Sequence, residues 1–311
     1  MIVAAVLLAA ALAADAKIPR YDHIFVIVEE NKDYARIIGS PDAPVITRLA
    51  KQYGSASRFY AEMHPSEPNY VAMVGGSTYG IRDDGPFFAH TIDAPNLATQ
   101  LEARGLSWKA YTEGLPSPGS LATFSGYYAS KHDGFLDFHS VQDDPDRAQH
   151  IVGFDRLMAD LRSGELPNFS FIVPNVCNEM HGASRAAAPQ SCSVYHPAAL
   201  IARGDREIGM LTGAIMKSPA WRSPGNAAIV ITWDEDDGGG TQGCCGAVPG
   251  GGHIPTIVIT NHGPRGVVDA TPYNHYSLLR TIEDAFGIHD YLVNAGATGV
   301  VPMVPLWANR S

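Results

Sequence analysis

His23-Ile24-Phe25-Val26-Ile27-Val28 is apolar and β-branched or aromatic from Ile24 onward, and it stops abruptly at Glu29-Glu30-Asn31. A run of this kind, with no alternation of polar residues, reads as a strand buried on both faces inside a parallel sheet. Comparable strand-like runs follow at Ala56 to Ala61, Ser107 to Thr112, Asn168 to Val173, Ala227 to Thr232 and Ile254 to Thr260. Helical stretches separate most of them: Ala43 to Tyr53, Pro95 to Arg104 with Asp93 near its start, Gly153 to Arg162, and Asp205 to Lys217. Gly105 and Gly164 serve as stops. Tyr276 to Phe286 closes the fold as an amphipathic helix with Leu278, Leu279, Ile282, Ala285 and Phe286 on one face. This alternation predicts an α/β protein, a three-layer α/β/α sandwich around a mostly parallel sheet.

One connection breaks the pattern. Asp236 to His253 contains eight glycines and no helical stretch. Parallel neighbours need a crossover, usually helical, so the strand from Ile254 is expected to run antiparallel to the one before it. Its start then returns to the rim occupied by Asp234 and places His253 beside Asp234 and Glu235.

With 311 residues, 45% hydrophobic and 17% charged, the chain can bury a large core. Residues 1–16 read as a secretory signal peptide, and 17–311 as one catalytic domain with a loop-rich insertion at about 115–150. The apolar stretch Ile2 to Ala14 is too short to span a bilayer and ends in small residues suited to a peptidase. A secreted or periplasmic protein, not inserted in a membrane, is the expectation. The net charge of −10 argues against nucleic acid as a partner. Four cysteines fit an oxidising compartment. Cys177 and Cys192 make a natural staple. Cys244 and Cys245 either bridge each other or pair back to that loop.

The polar residues collect just after strands, where ligands bind in open α/β sheets. Glu30-Asn31, Ser66, Glu113, Asn175 to His181 and Asp234-Glu235 all lie there. Ser66 precedes Glu67-Pro68-Asn69-Tyr70-Val71-Ala72-Met73-Val74, which can start as a helix because Pro68 fits a first turn. Its hydroxyl is then either a helix cap or a nucleophile set among free N–H groups. Three other motifs fail. Gly238-x-Gly240-x-x-Gly243 follows four acids and precedes no helix, so it is no dinucleotide fingerprint. Asp234 to Gly238 puts glycine where a calcium loop needs an oxygen ligand. Gly75-Gly76-Ser77-Thr78-Tyr79 misses the last glycine of a hydrolase elbow.

Glu29-Glu30-Asn31, Pro65-Ser66-Glu67-Pro68-Asn69, Trp233-Asp234-Glu235 and Tyr273-Asn274-His275-Tyr276-Ser277-Leu278-Leu279 ahead of Ile282-Glu283-Asp284 together resemble the phosphoesterase family, over about Tyr21 to Ile288. That family includes secreted acid phosphatases and non-specific phospholipases C, and is similar in fold to alkaline phosphatase. The resemblance implies that Glu30, Asn31, Asp234 and Glu235 hold one divalent metal ion, and that Ser66 is the nucleophile of a phosphoserine pathway. Larger phospholipase members carry Arg and His where this chain has Tyr70 and Asp236, which favours the phosphatase-like branch.

A set of three carboxylates and an amide oxygen suits Mg²⁺, Ca²⁺ or Mn²⁺, with Zn²⁺ if His253 joins. His181 or His253 is the expected proton donor, and Asn69 and Asn175 are expected to bind substrate. The expected substrate is a small phosphate ester or a phospholipid headgroup. The alternatives are a phospholipase C-like diesterase, a serine carboxylesterase, or a non-catalytic metal- or phosphate-binding relative.

Overall fold

The computed structural model describes residues 17–309, so the leader expected over Met1 to Ala16 lies outside them. Its strands are β1 His23–Glu29, β2 Gly54–Tyr60, β3 Trp108–Thr112, β4 Phe124–Ser125, β5 Tyr128–Ala129, β6 Ile151–Val152, β7 Phe169–Val173, β8 Ala227–Trp233, β9 His253–Thr260, β10 Val267–Asp269 and β11 Tyr273–Asn274. The main sheet has the order β10-β2-β9-β8-β1-β7-β3-β6, with β11 also paired to β2. Only β9 runs against its neighbours, antiparallel to both β2 and β8. The glycine-rich link before it carries no crossover helix, as its composition predicts.

Five longer helices cover the sheet: α1 Pro44–Gln52, α2 Glu67–Gly75, α3 Phe154–Ser163, α4 Pro197–Lys217 and α5 His275–Ala285. α2 packs on α5 in one layer, while α4 packs on α1 and α3 in the other. β1 and β8 at the centre are buried along almost their whole length, which explains their unbroken apolar runs. The fold is therefore the α/β sandwich that the strand and helix pattern predicts.

Two helices differ from their sequence-based bounds. The helix expected from Pro95 spans Leu97–Glu102 and is capped by Asn96, not Asp93, in a reciprocal box with Thr99. The helix expected from Asp205 begins at Pro197, because proline at the first position lets the alanine-rich segment join it.

The stretch 115–150 is more than surface loop. It holds the β4–β5 hairpin and two short helices, and Phe135, Leu136, Phe138 and Val141 are fully buried in the main core. Trp108 and Phe171 pack on Phe135, with ring centroids 4.7 and 5.8 Å away. Gly134 sits against the backbone of α2, where a Cβ would run into the Tyr70 carbonyl.

Disulfides join Cys177 to Cys192 and Cys244 to Cys245. The second pairing resolves the alternatives left by the sequence. Among the described residues, no helix is long and apolar enough to cross a membrane.

Candidate active site

Ser66 sits at the mouth of α2 with helical backbone angles and makes no side-chain cap. The free N–H of Glu67 is taken instead by Asp84 Oδ1, 3.1 Å away, and that of Asn69 by the Ser66 carbonyl at 2.9 Å. The hydroxyl is thereby released from capping. It donates toward Glu30 Oε2 at 3.1 Å and Glu235 Oε1 at 3.0 Å.

β1 and β8 deliver these acids together because they are adjacent parallel strands ending in register at Glu29 and Trp233. The Asp234 N–H donates to the Glu29 carbonyl at 3.0 Å, and the Asn31 N–H to Asp234 Oδ1 at 2.9 Å. Asn31 takes a left-handed conformation (φ 49°), which asparagine tolerates better than most residues. Its amide nitrogen faces Glu235 Oε1 at 2.8 Å and Ser66 Oγ at 3.4 Å. The sequence-based expectation has Asn31 offering its oxygen; here it is a donor toward the hydroxyl.

Burial dominates the electrostatics. Glu30 is pushed up to about 7 by desolvation, partly offset by Lys131 and reinforced by Glu235. Asp234 is raised well above the ordinary carboxylate range, by burial first and then by Glu30 and Glu235. Glu30 Oε1 and Asp234 Oδ2 are buried without a hydrogen-bond partner. Carboxylates confined in this way need protons or a cation between them. This donor set fits a hard divalent ion.

Several participants escaped the sequence. His132 lies between two buried acids, with Nδ1 2.9 Å from Glu179 Oε1 and Nε2 3.2 Å from Glu30 Oε1. Burial, and then Lys131, hold the ring well below its ordinary pKa, so it is neutral. In either tautomer one nitrogen presents a lone pair to a carboxylate, which a proton or a cation must complete. Glu30, His132 and His181 have ligand atoms within 4.8 Å of one another. Lys131 supplies local positive charge. Burial lowers its pKa, but Glu30 and Asp84 outweigh that, and its Nζ is 2.6 Å from Asp84 Oδ2.

His181, one of the two histidines proposed from sequence as proton donor, stands beside His132, with ring centroids 5.7 Å apart. Its Nδ1 is held on the Gly182 carbonyl at 2.8 Å, and burial lowers its pKa.

His253 is not beside Asp234. The β8–β9 pairing ends at Thr232–Thr256, while β9 stays paired with β2 to its first residue, placing His253 opposite Tyr60. There it bonds the Ser57 carbonyl at 2.9 Å and stacks on Tyr34 at 4.6 Å. The histidine bonded to Glu235 is His64, which that bond raises to about 9 against the cost of its burial. Its Nε2 meets the Gly240 carbonyl at 2.8 Å.

Asn69 also departs from expectation. Its oxygen accepts from the Glu62 and Met63 N–H groups at 3.0 and 3.2 Å, and its nitrogen donates to the Met63 and Pro65 carbonyls at 2.8 and 3.1 Å. Fully committed and buried, it clamps the loop before Ser66 and has nothing left for substrate. The Asn175 oxygen likewise accepts from the Cys177 N–H at 3.0 Å, shaping the turn that carries Glu179 and His181.

The fold is alkaline-phosphatase-like. A solved structure described as a protein in the alkaline phosphatase superfamily, from Vibrio parahaemolyticus, superposes with a TM-score of 0.57 at 13% identity, covering 88% of this chain and 69% of that one. Residues 40–289 match the model of the phosphoesterase family, and the chain belongs to that family. It is 31% identical over 299 residues to a phosphatidylinositol-3-phosphatase of Mycobacterium tuberculosis, covering 96% of this chain and 86% of that one. It is also 26% identical over 282 residues to a probable acid phosphatase of Kluyveromyces lactis, covering 88% of this chain but 60% of the relative. The protein is a phosphoric ester hydrolase.

Proposed function

We propose that the protein is a secreted, metal-dependent phosphomonoesterase in which Ser66 attacks phosphorus and carries the phosphoryl group between ester and water. The observation behind this is the Ser66 hydroxyl, freed from capping and held at 3.0–3.1 Å between Glu235 and Glu30. Glu30, Asp234 and Glu235 would hold one divalent ion, and the unpartnered oxygens of Glu30 and Asp234 support that assignment. His132, whose Nε2 is 3.2 Å from Glu30 Oε1, favours Zn²⁺ if it joins. When bound, such an ion lowers the pKa of the serine hydroxyl and neutralises charge on phosphoryl oxygens.

In the first step Ser66 Oγ gives its proton to a neighbouring carboxylate and attacks in line. The P–O bond to the alcohol breaks, and the leaving oxygen takes a proton from His181 Nε2. A lowered histidine pKa suits such a donor to the acid range. Asn31 Nδ2 and Lys131 stabilise charge on the transferring group. In the second step water gives up a proton to His181 and displaces Ser66, which recovers its own.

A cleft of about 600 Å³ beside His64, lined by Met63, Arg82, Thr241 and Cys245, has room for a small alcohol or headgroup. The mycobacterial relative supports phosphoinositide headgroups among the substrates.

The test is a panel of 4-nitrophenyl phosphate, its bis-ester, phosphatidylcholine and 4-nitrophenyl acetate, with and without EDTA. Preferential, chelator-sensitive cleavage of the monoester is expected. Transfer of a chiral phosphoryl group to an acceptor alcohol should proceed with net retention, because two displacements each invert. Net inversion would replace the serine pathway with direct attack by water, and exclusive cleavage of the acetate would select a carboxylesterase.

A further inference from the structure

A second cluster begins one residue beyond Ser66 and is used by none of the steps above. Glu67 and Asp137 are both fully buried, and His90 joins them from the loop after Gly85. One ligand atom from each of the three lies within 4.8 Å of the others. Glu67 Oε1 is 3.1 Å from His90 Nδ1. Glu67 Oε2 and both carboxylate oxygens of Asp137 have no hydrogen-bond partner.

Asp83 orients the imidazole. Its Oδ1 lies 2.9 Å from His90 Nε2 and also accepts the Gly85 N–H at 2.9 Å. In this structure Nδ1 hydrogen-bonds Glu67 Oε1. With a proton on Nε2 toward Asp83, the ring would turn its Nδ1 lone pair inward to an ion in place of that bond. A carboxylate fixing the outer nitrogen of a ligating histidine is a common arrangement around protein-bound metals. His90 and Asp83 also line a cleft of about 690 Å³, which gives an ion a route from solvent.

We propose that Glu67, His90 and Asp137 form a second cation site, distinct from the Ser66 centre, for a dication of the Zn²⁺ type. One imidazole and two carboxylates make a mixed N/O set, which suits zinc better than the all-oxygen preference of calcium or magnesium. Both acids are held above the ordinary carboxylate range, chiefly by burial, and an ion between them would relieve that cost. The bound ion would also fix the first residue of α2, and with it the turn that presents Ser66.

Zinc content and crystallographic location test this directly. Protein stripped with EDTA is exchanged into buffer with micromolar Zn²⁺, desalted and measured by elemental analysis, as wild type, Asp234→Asn, and Asp234→Asn with His90→Ala. The single variant should retain about one zinc per chain and the double variant almost none. Equal zinc content in single and double variants overturns the proposal. If the variants do not fold, wild-type crystals in the same buffer give the answer. Anomalous scattering at the zinc edge should peak among Glu67, His90 and Asp137. A peak at Ser66 with none there overturns the second site. A peak there with none at Ser66 upholds it and instead defeats the metal assignment at Ser66.

Discussion

Ser66 Oγ lies 3.1 Å from Glu30 Oε2 although 36 residues separate them and two strands, β9 and β8, stand between theirs in the sheet. The loop leaving β2 must therefore reach across the ends of both strands. It is tied down on the way. The Ala61 N–H donates to the Gly252 carbonyl at 3.1 Å, the Gly251 N–H to the Ala61 carbonyl at 2.9 Å, and Asn69 clamps residues 62–65.

Ser66→Ala should lower kcat by several powers of ten while zinc or calcium content is unchanged, since positioning remains but nothing attacks. Steady-state kinetics on 4-nitrophenyl phosphate beside elemental analysis check this. Turnover near the wild-type rate would leave Ser66 with a structural role only.

Asp234→Asn keeps the acceptor for the Asn31 N–H but removes a buried charge that faces Glu30 and Glu235. The metal-free variant should be more stable than metal-free wild type by about 1–2 kcal/mol, and the thermal shift caused by metal at the Ser66 centre should vanish. Calorimetry with and without EDTA decides the matter. A destabilised apo variant would show that Asp234 is not strained by its neighbours.

His132→Ala should cost about 10- to 100-fold in metal affinity or kcat, because Glu30 loses the ring that orients it. Metal titration followed by activity reads this out. An unchanged titration midpoint and unchanged kcat would place His132 outside the working site.

Glu62→Gln tests the support behind the site. His275 donates its N–H to Glu62 Oε1 at 3.0 Å, bonds the same carboxylate through Nδ1, and reaches the Trp233 carbonyl at 2.8 Å. It therefore ties the start of α5 to the residue before Asp234. Burial alone would lower the His275 pKa, but Glu62 outweighs it and holds the ring charged. Removing one partner of a buried ion pair should cost about 3–5 kcal/mol in urea unfolding. A loss below about 1 kcal/mol would mean that the pair is dispensable to the fold.

Buried acids should make the apoprotein less stable as pH rises. Glu283 is pushed up to about 8, mainly by burial, from an ordinary value of 4.5. Between these values the unfolded chain releases a proton that the folded chain keeps, so stability falls with rising pH and levels off above the folded value. Glu283→Gln should remove roughly 2–4 kcal/mol of the difference between pH 5 and pH 8, measured by urea unfolding in EDTA. An unaltered slope would assign the effect to other acids such as Glu207 and Asp133, both raised to about 7.

The sequence by itself determined the sandwich, the antiparallel return of β9 and the rim that carries the chemistry. Buried strands such as β1 and β8 must be continuously apolar, and a link of eight glycines cannot form a crossover helix, so local composition constrains both. It also brought Glu30, Asp234 and Glu235 to one place, because residues following adjacent parallel strands have little choice of position.

Only the tertiary structure decided which histidines and asparagines face Ser66. His253 was lost to β2 because the β8–β9 ladder stops at Thr256 while the β2–β9 pairing runs on to His253, and no one-dimensional pattern marks where the ladder stops. His132 and Lys131 sit in an irregular stretch without periodicity, and reach the site because Gly134 lets that chain lie on the backbone of α2. Asn69 resembles a ligand in sequence, yet the loop it closes consumes all its hydrogen bonds. Capping followed the same logic: Asp84 took the α2 N–H from a distance, and that contact left the Ser66 hydroxyl free for chemistry.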